Sequence, residues 1–232
     1  MRRIVPLVLS AAALLSACDP TGNGAPTNLG HSHFRFANFV PDATGLSVSD
    51  NSGNIISNIQ FTELSLYQTL SADSNVFTVT QLSPSLTLGA DTASLIQDRR
   101  YTLYGLGKTT AYRNYLAVND TVFASAGQYK VRFIHGIESY SPYTLNFYDD
   151  TTSSLTGLTP TWPALSYVVG SLYIPVDTGV RRIRITKTGI TTTILDTILP
   201  AIPSGAVVTL VATNVVGAAA GIQVTVVTDT TP

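Results

Sequence analysis

Cys18 is the only cysteine in the 232-residue chain, and it stands in the stretch LLSACDP, directly after an apolar run. A lone thiol can accept a covalent group, but it cannot close a disulfide within one chain. The histidines are His31, His33 and His135, and the glutamates are Glu63 and Glu138. No grouping of His, Cys and carboxylates has the spacing of a metal site, so neither a metal nor a cofactor is expected. His135 fits better as a ring bonded to a loop at the rim of a β-fold, a bond that would set its tautomer. The stretch YGLGKTT (Tyr104 to Thr110) imitates a phosphate loop. That motif needs a glycine five residues before Gly107, where Thr102 stands, and a helix after it. The following AYRNYLAVND reads instead as a turn and a strand, so a hairpin end is the plainer reading. No Gly-x-Ser-x-Gly elbow places a serine nucleophile. Glu63 and Glu138 sit in non-equivalent places and do not suggest a glycosidase pair. Asp149-Asp150 suits a hairpin end, where Asp bonds its own backbone, and no spaced calcium ladder surrounds it. The expectation is a protein that is not an enzyme.

The segment before Cys18 reads as a secretion signal. Arg2 and Arg3 form a positive start, and Ile4 to Leu15 is an apolar run shorter than the ~20 residues that span a bilayer. The tetrad Leu15-Ser16-Ala17-Cys18 resembles the lipobox of bacterial lipoproteins. The resemblance implies a diacylglycerol on the Cys18 thiol and cleavage before it by a peptidase that recognises Leu15, Ser16 and Ala17. Acylation of the new amino terminus, typically by palmitate, follows. Each buried CH₂ adds about 0.8 kcal/mol, so three chains make a slow-leaving membrane anchor. Asp19 favours inner-membrane retention in enteric lipoproteins, but that rule varies between bacterial groups and leaves the choice of membrane open. The expected location is the bacterial cell envelope, on a periplasmic face or at the cell surface. Residues 1–17 are then the signal peptide, and 18–31 the lipidated cysteine and a flexible tether. From Asp19 to His31 the tether could extend ~40 Å.

Composition sets the fold class. Charged residues are 12% of the chain, about half the ordinary share, while hydrophobic residues are 44%. The formal charge of −1 excludes a nucleic-acid surface. Thr and Ser are abundant and Glu is rare, which disfavours long helices, and β-branched and aromatic residues favour strands. Ala206 to Val227 is almost continuously apolar. Asn214, Gln223 and two glycines interrupt it, so two buried strands joined by a small-residue loop fit better than a membrane helix.

The mature chain repeats itself. HFRFANFVPDATGLSVSDNSG from His33 answers KVRFIHGIESYSPYTLNFYDD from Lys130. FTELSLY answers PALSYVV around a shared Leu-Ser pair, and NVFTVTQ answers GVRRIRITK. RRYTLYGLG answers GAVVTLVAT, and YLAVND answers IQVTVVTD. A duplication with about seven short strands per copy predicts an all-β chain of two tandem immunoglobulin-like antiparallel β-sandwich domains. The boundaries read as 32–120 for the first repeat, 121–128 for a linker and 129–232 for the second repeat. The short linker suggests a limited hinge with the sandwiches stacked end to end. In RRIRITK, alternation turns Ile183 and Ile185 inward and Arg182, Arg184 and Thr186 toward water.

The repeated unit resembles the domain-of-unknown-function family 4397. Phe34-Arg35-Phe36 and Pro41-Asp42-Ala43 carry the resemblance in the first copy, with Ser65-x-Tyr67 and Tyr101-Thr102 later. Val131-Arg132-Phe133 and His135 carry it in the second. Asn38 departs from the family's histidine, and Glu138-Ser139-Tyr140 and Val208-Thr209 replace Pro-Asp-Ala and Tyr-Thr. The resemblance implies a β-sandwich of secreted or surface-attached bacterial proteins, and the family has no established activity to carry over.

Two features suit a ligand-binding face in the second copy. Aromatic residues crowd there, and Arg181, Arg182, Arg184 and Lys187 make a basic strand that could meet anionic lipid or acidic glycan. The candidate residues are Tyr140, Tyr143, Trp162, Tyr167, Arg182 and Arg184. Core packing and a solvated strand are the competing readings. The expected function is a non-catalytic binding or adhesion module for an envelope glycan or protein, with an envelope scaffold or an accessory domain of a carbohydrate-active enzyme as alternatives. A binding module should gather aromatic or basic side chains outside the core at one rim. A scaffold should show a large apolar contact between the copies.

Overall fold

A computed structural model describes residues 30–152, 154–216 and 221–230. Cys18 and the tetrad before it therefore lie outside the described residues. The chain is all-β, as the composition predicts. Its strands are β1 (His31–Phe39), β2 (Leu46–Asp50), β3 (Gly53–Ile59), β4 (Gln68–Ser71), β5 (Ser74–Gln81), β6 (Leu86–Ser94), β7 (Arg100–Leu106) and β8 (Arg113–Val118). The second half runs β9 (Gln128–Gly136), β10 (Leu145–Asp150), β11 (Trp162–Leu165), β12 (Ile174–Asp177), β13 (Arg182–Lys187), β14 (Thr193–Ile198), β15 (Val207–Asn214) and β16 (Ile222–Thr230). The last two are the strands expected in the apolar C-terminal stretch.

The sheets repeat in order. The first half forms β4-β1-β7-β8 and β3-β2-β5-β6, and the second forms β12-β9-β15-β16 and β11-β10-β13-β14. Each half is a sandwich of eight strands, one more than the sequence suggested. Pairing is antiparallel except between β1 and β7, and between β9 and β15, which run parallel. The central parallel pairs share one register in the two halves. Arg35 lies opposite Thr102, and Arg132 opposite Thr209.

Each sandwich has its own core. Phe34, Phe36, Val48, Phe77, Val79 and Leu103 fill the first, where Phe34 and Phe77 stack with centroids 4.2 Å apart. Phe133, Phe147, Trp162, Ile183, Ile185 and Leu210 fill the second. Alternation along β1 and β9 sends one set of side chains into these cores. From Arg35 and Arg132 onward the other set does not meet water either. Ala37, Phe39, Tyr104, Leu106 and Ala117 of the first half pack with Ile134, Val211 and Val227 of the second in a third buried cluster. The sheet β4-β1-β7-β8 therefore faces β12-β9-β15-β16 across an apolar seam, and the sandwiches join face to face. This corrects the end-to-end stacking expected from the short linker. The physical reason is that both faces of these two sheets are apolar, so each needs two partners.

The turn after β7 fits the seam by being small. Gly107 has φ +89, and a Cβ there would lie 2.6 Å from the Ala111 carbonyl oxygen and 2.7 Å from the Tyr167 hydroxyl of the other sandwich. The YGLGKTT stretch is thus a packed hairpin end, pinned by Asp42, whose carboxylate accepts from Thr109 N–H at 2.9 Å and Thr109 Oγ1 at 2.7 Å.

Candidate functional site

Two arginines cross the seam. Arg35 and Arg132 hold equivalent positions on β1 and β9, on the faces turned to the other sandwich. Arg35 Nε donates to Thr102 Oγ1 at 2.9 Å in its own half. Its NH1 and NH2 reach the Thr228 carbonyl at 3.0 Å and Asp229 Oδ1 at 2.9 Å in the other. Arg132 repeats the pattern. Its Nε donates to Thr209 Oγ1 at 2.7 Å, and its other nitrogens to the Val118 carbonyl and Asn119 Oδ1, both at 2.8 Å. Each guanidinium also lies over a tyrosine of its own half, Arg35 4.8 Å from the Tyr67 centroid and Arg132 4.5 Å from that of Tyr173.

The acceptors are held in turn. Asn119 Nδ2 donates to the Tyr67 hydroxyl and to Thr102 Oγ1, both at 2.7 Å. Asp229 Oδ2 accepts from the Tyr173 hydroxyl at 2.8 Å and from Thr209 Oγ1 at 2.5 Å. Burial and the Asp229 charge push the Tyr173 hydroxyl upward in pKa, so it stays a donor. Burial, then the same charge, push Tyr104 up to about 12. The arrangement is a two-fold clasp, with each half supplying an arginine and the acceptor for the other's arginine.

Several residues of the clasp are among those that carry the family resemblance. Arg35 and Arg132 come from the apolar-Arg-apolar strands, Thr102 from Tyr-Thr and Tyr67 from Ser-x-Tyr. Ser65 Oγ accepts the Phe36 N–H at 3.0 Å, and Ser171 Oγ accepts the Phe133 N–H at 2.9 Å. Ser171-Leu172-Tyr173 is therefore the true counterpart of Ser65-Leu66-Tyr67, which corrects the alignment through Leu165-Ser166. Residues 32–142 match the family model of DUF4397, a domain of unknown function. The DUF4397 match spans β1–β8 and continues through β9, so both clasp arginines lie inside it. No curated protein matches the chain. Among solved structures, a family 26 carbohydrate-binding module of Eubacterium rectale Amy13K, in complex with maltoheptaose, is 10% identical with a TM-score of 0.28. That alignment covers 87% of this chain and 98% of the module, and at that TM-score it carries no argument about ligand.

The six residues expected to form a ligand face in the second half are not brought together. Trp162 is buried, with its ring 5.6 Å from Phe133 in the core. Arg184 is only 2% exposed and grips Asp150 at 2.6 Å, and Thr186 is fully buried. Neither faces water as alternation suggested, and over Arg184 the cover is supplied by Asp150 and Thr152. Arg182 pairs with Asp196 through two bonds, and Arg181 with Asp149, so the three arginines of the basic strand are neutralised and only Lys187 among them has no ion pair with the described residues. Tyr167 lies edge-on to His135. Tyr140 and Tyr143 do meet, flanking Lys187 Nζ at 5.2 and 3.9 Å.

His135 is fully buried at the end of β9, and its Nδ1 accepts the Ile137 N–H at 3.3 Å. Burial lowers its pKa to about 4, despite the nearby carbonyls of Tyr143 and Tyr140. Asn38 at the equivalent place accepts the Val40 N–H at 2.9 Å in the same manner. The departure from the family's histidine thus preserves the bond. Among the described residues, no three His, Cys or carboxylates gather to hold a metal.

Open grooves lie at the end of the seam where β1, β7 and β9 begin and β8 and β16 finish. One, of about 430 Å³, is lined by Asp98, Arg99, Arg100, Asn119, Val122 and Tyr173 among others. The second, of about 510 Å³, is lined by Arg35, Tyr67, Arg100, Thr228, Asp229 and Thr230. Arg100 belongs to both. Sequence reasoning passed over this region. The available signal was an arginine at the same place in both copies, in strands otherwise built for burial.

Proposed function

We propose that the protein is a lipid-anchored, non-catalytic binding protein of the bacterial envelope, whose two sandwiches act as one rigid body. Domains 32–120 and 129–232, joined by 121–128, are the halves of that body, and Cys18 carries the lipid. The observation that carries the reading is the pair of grooves sharing Arg100 at the end of the seam. The pairing of buried carboxylates, one of them in the wall of the second groove, supports the non-catalytic part. Asp149 holds Arg181, and Asp229 holds Arg35, so these carboxylates serve the fold. A scaffold without a specific ligand is the second reading, favoured by the apolar seam.

The anchor is tested by fractionating cells that express the wild type and Cys18→Ser. The wild type should partition with membranes and carry acyl mass on its first residue, and the variant should be released. A variant that stays with membranes, or an unacylated mature wild type, refutes the anchor.

A further inference from the structure

The clasp is unequal in charge. Its buried cations are Arg35 and Arg132, while its one carboxylate is Asp229, since Asn119 fills the matching place. The surroundings add to the surplus. Around the seam's end stand five cations, Arg35, Arg99, Arg100, Lys130 and Arg132, against three carboxylates, Asp98, Asp120 and Asp229. This is a positive spot on a chain whose formal charge is −1. Asp120 and Asp229 are already engaged by Lys130 and Arg35. Among the described residues Arg99, Arg100 and Arg132 form no ion pair, but Arg132 is spent on neutral acceptors and Arg99 is exposed. Arg100 is half-buried on the wall of both grooves, with its guanidinium 5.5 Å from the Tyr67 centroid. A half-buried arginine on the wall of two grooves, oriented by an aromatic ring and lacking a counter-ion, is placed to fork onto a planar anion.

We infer that the grooves meeting at Arg100 form a binding site for a carboxylate-bearing oligosaccharide, with Arg100 gripping the carboxylate. This deepens the binding reading above and rests on it. The other lining groups suit sugar hydroxyls. Thr121 and Thr228 line the grooves with hydroxyls, while the Thr228 carbonyl serves Arg35 and the Thr230 hydroxyl donates to the Asp120 carbonyl, and Tyr173 and Tyr67 add aromatic lining. Both grooves are open, with Val118 and Val122 as the apolar lining of the first. An extended sugar chain needs such a channel, and a peptide anchored by apolar side chains needs deep pockets. Arg99 beside the first groove supplies longer-range attraction that salt screens.

The test is titration calorimetry of the acylated, detergent-solubilised full chain with trigalacturonate, its neutral methyl ester, inorganic phosphate and a short polyglutamate peptide. The inference expects trigalacturonate to bind, the ester to bind at least about tenfold more weakly, and affinity to fall as salt rises. Arg100→Gln should lose about tenfold or more with an unchanged urea midpoint, Arg100→Lys should lie between, and Lys187→Gln at the opposite end should match the wild type. Equal binding of acid and ester, or an unaffected Arg100→Gln, overturns the inference while leaving a neutral ligand for the broader reading. Binding of polyglutamate or phosphate without trigalacturonate overturns it in favour of a protein or phosphate ligand. No binding by any probe overturns it too. Since the acylated chain is used throughout, none of these outcomes bears on the anchor.

Discussion

Arg35 and Arg132 occupy one position in two copies of a sandwich, yet one meets a carboxylate and the other an amide. Their donors, threonines and tyrosines correspond atom for atom. Duplication therefore preserved the geometry of the clasp while letting its charge diverge. The clasp itself depends on shape and hydrogen bonding with one ion pair added on one side, while Lys108–Glu138 at 2.9 Å and Lys130–Asp120 at 2.8 Å also join the halves. A buried ion pair contributes little against an apolar replacement, but breaking it by removing one partner is costly.

That contrast can be broken by substitution. Arg35→Ala leaves Asp229 buried without its cation and should cost about 3–5 kcal/mol in urea unfolding. Arg132→Ala leaves only neutral acceptors and should cost less, about 1–3 kcal/mol. The sharper test moves the charge. Asp229→Asn and Asn119→Asp together transfer the carboxylate to the other clasp, and the double variant should recover most of what Asp229→Asn loses. If the two changes simply add, the halves are not equivalent and the two-fold description is wrong.

The next contrast is Asn38 with His135. The unfolded chain binds a proton at His135 below its ordinary pKa of 6.5, and the folded chain resists until about 4. Stability therefore falls as pH drops from 6.5 to 4, by about 3 kcal/mol in total, and is unaffected by this group above that window. His135→Asn copies the first half and should flatten that part of the curve of urea midpoint against pH. A slope identical to wild type would show that the ring is not the source.

Smallest of all is the effect expected at Leu66 and Leu172. These equivalent residues are 84% and 86% exposed, although their neighbours in Ser-x-Tyr are tied into the clasp. Replacing either by Ser should change stability by less than about 0.5 kcal/mol. A larger loss at one alone, measured by thermal melting, would reveal a contact that separates the halves.

Much of the fold was legible because period-two alternation and β-branched composition are local properties. The duplication, the C-terminal strand pair and the signature positions all follow from them. The role of the signature was not legible. An arginine alternating with phenylalanine on a strand reads as a solvent-facing residue, and nothing local says that another sheet covers it. Arg184 and Thr186 misled in the same way, and a chance Leu-Ser pair displaced one repeat by several residues. Trp162 and the scattered tyrosines resembled a binding face because sequence counts aromatics without showing their depth. Arg99 and Arg100 escaped notice because an unpaired cation is recognisable only once every carboxylate has been matched to its partner.

The parallel pairing of β1 with β7 has a mechanical side. A pull on the chain ahead of His31 would act along β1, whose residues His33–Phe39 are all in register with β7. The hydrogen bonds between them would be sheared together rather than peeled apart one by one. Under the proposed anchoring, the body would in this way resist drag through its first strand, with Arg35 inside that strand serving as a bolt to the other half.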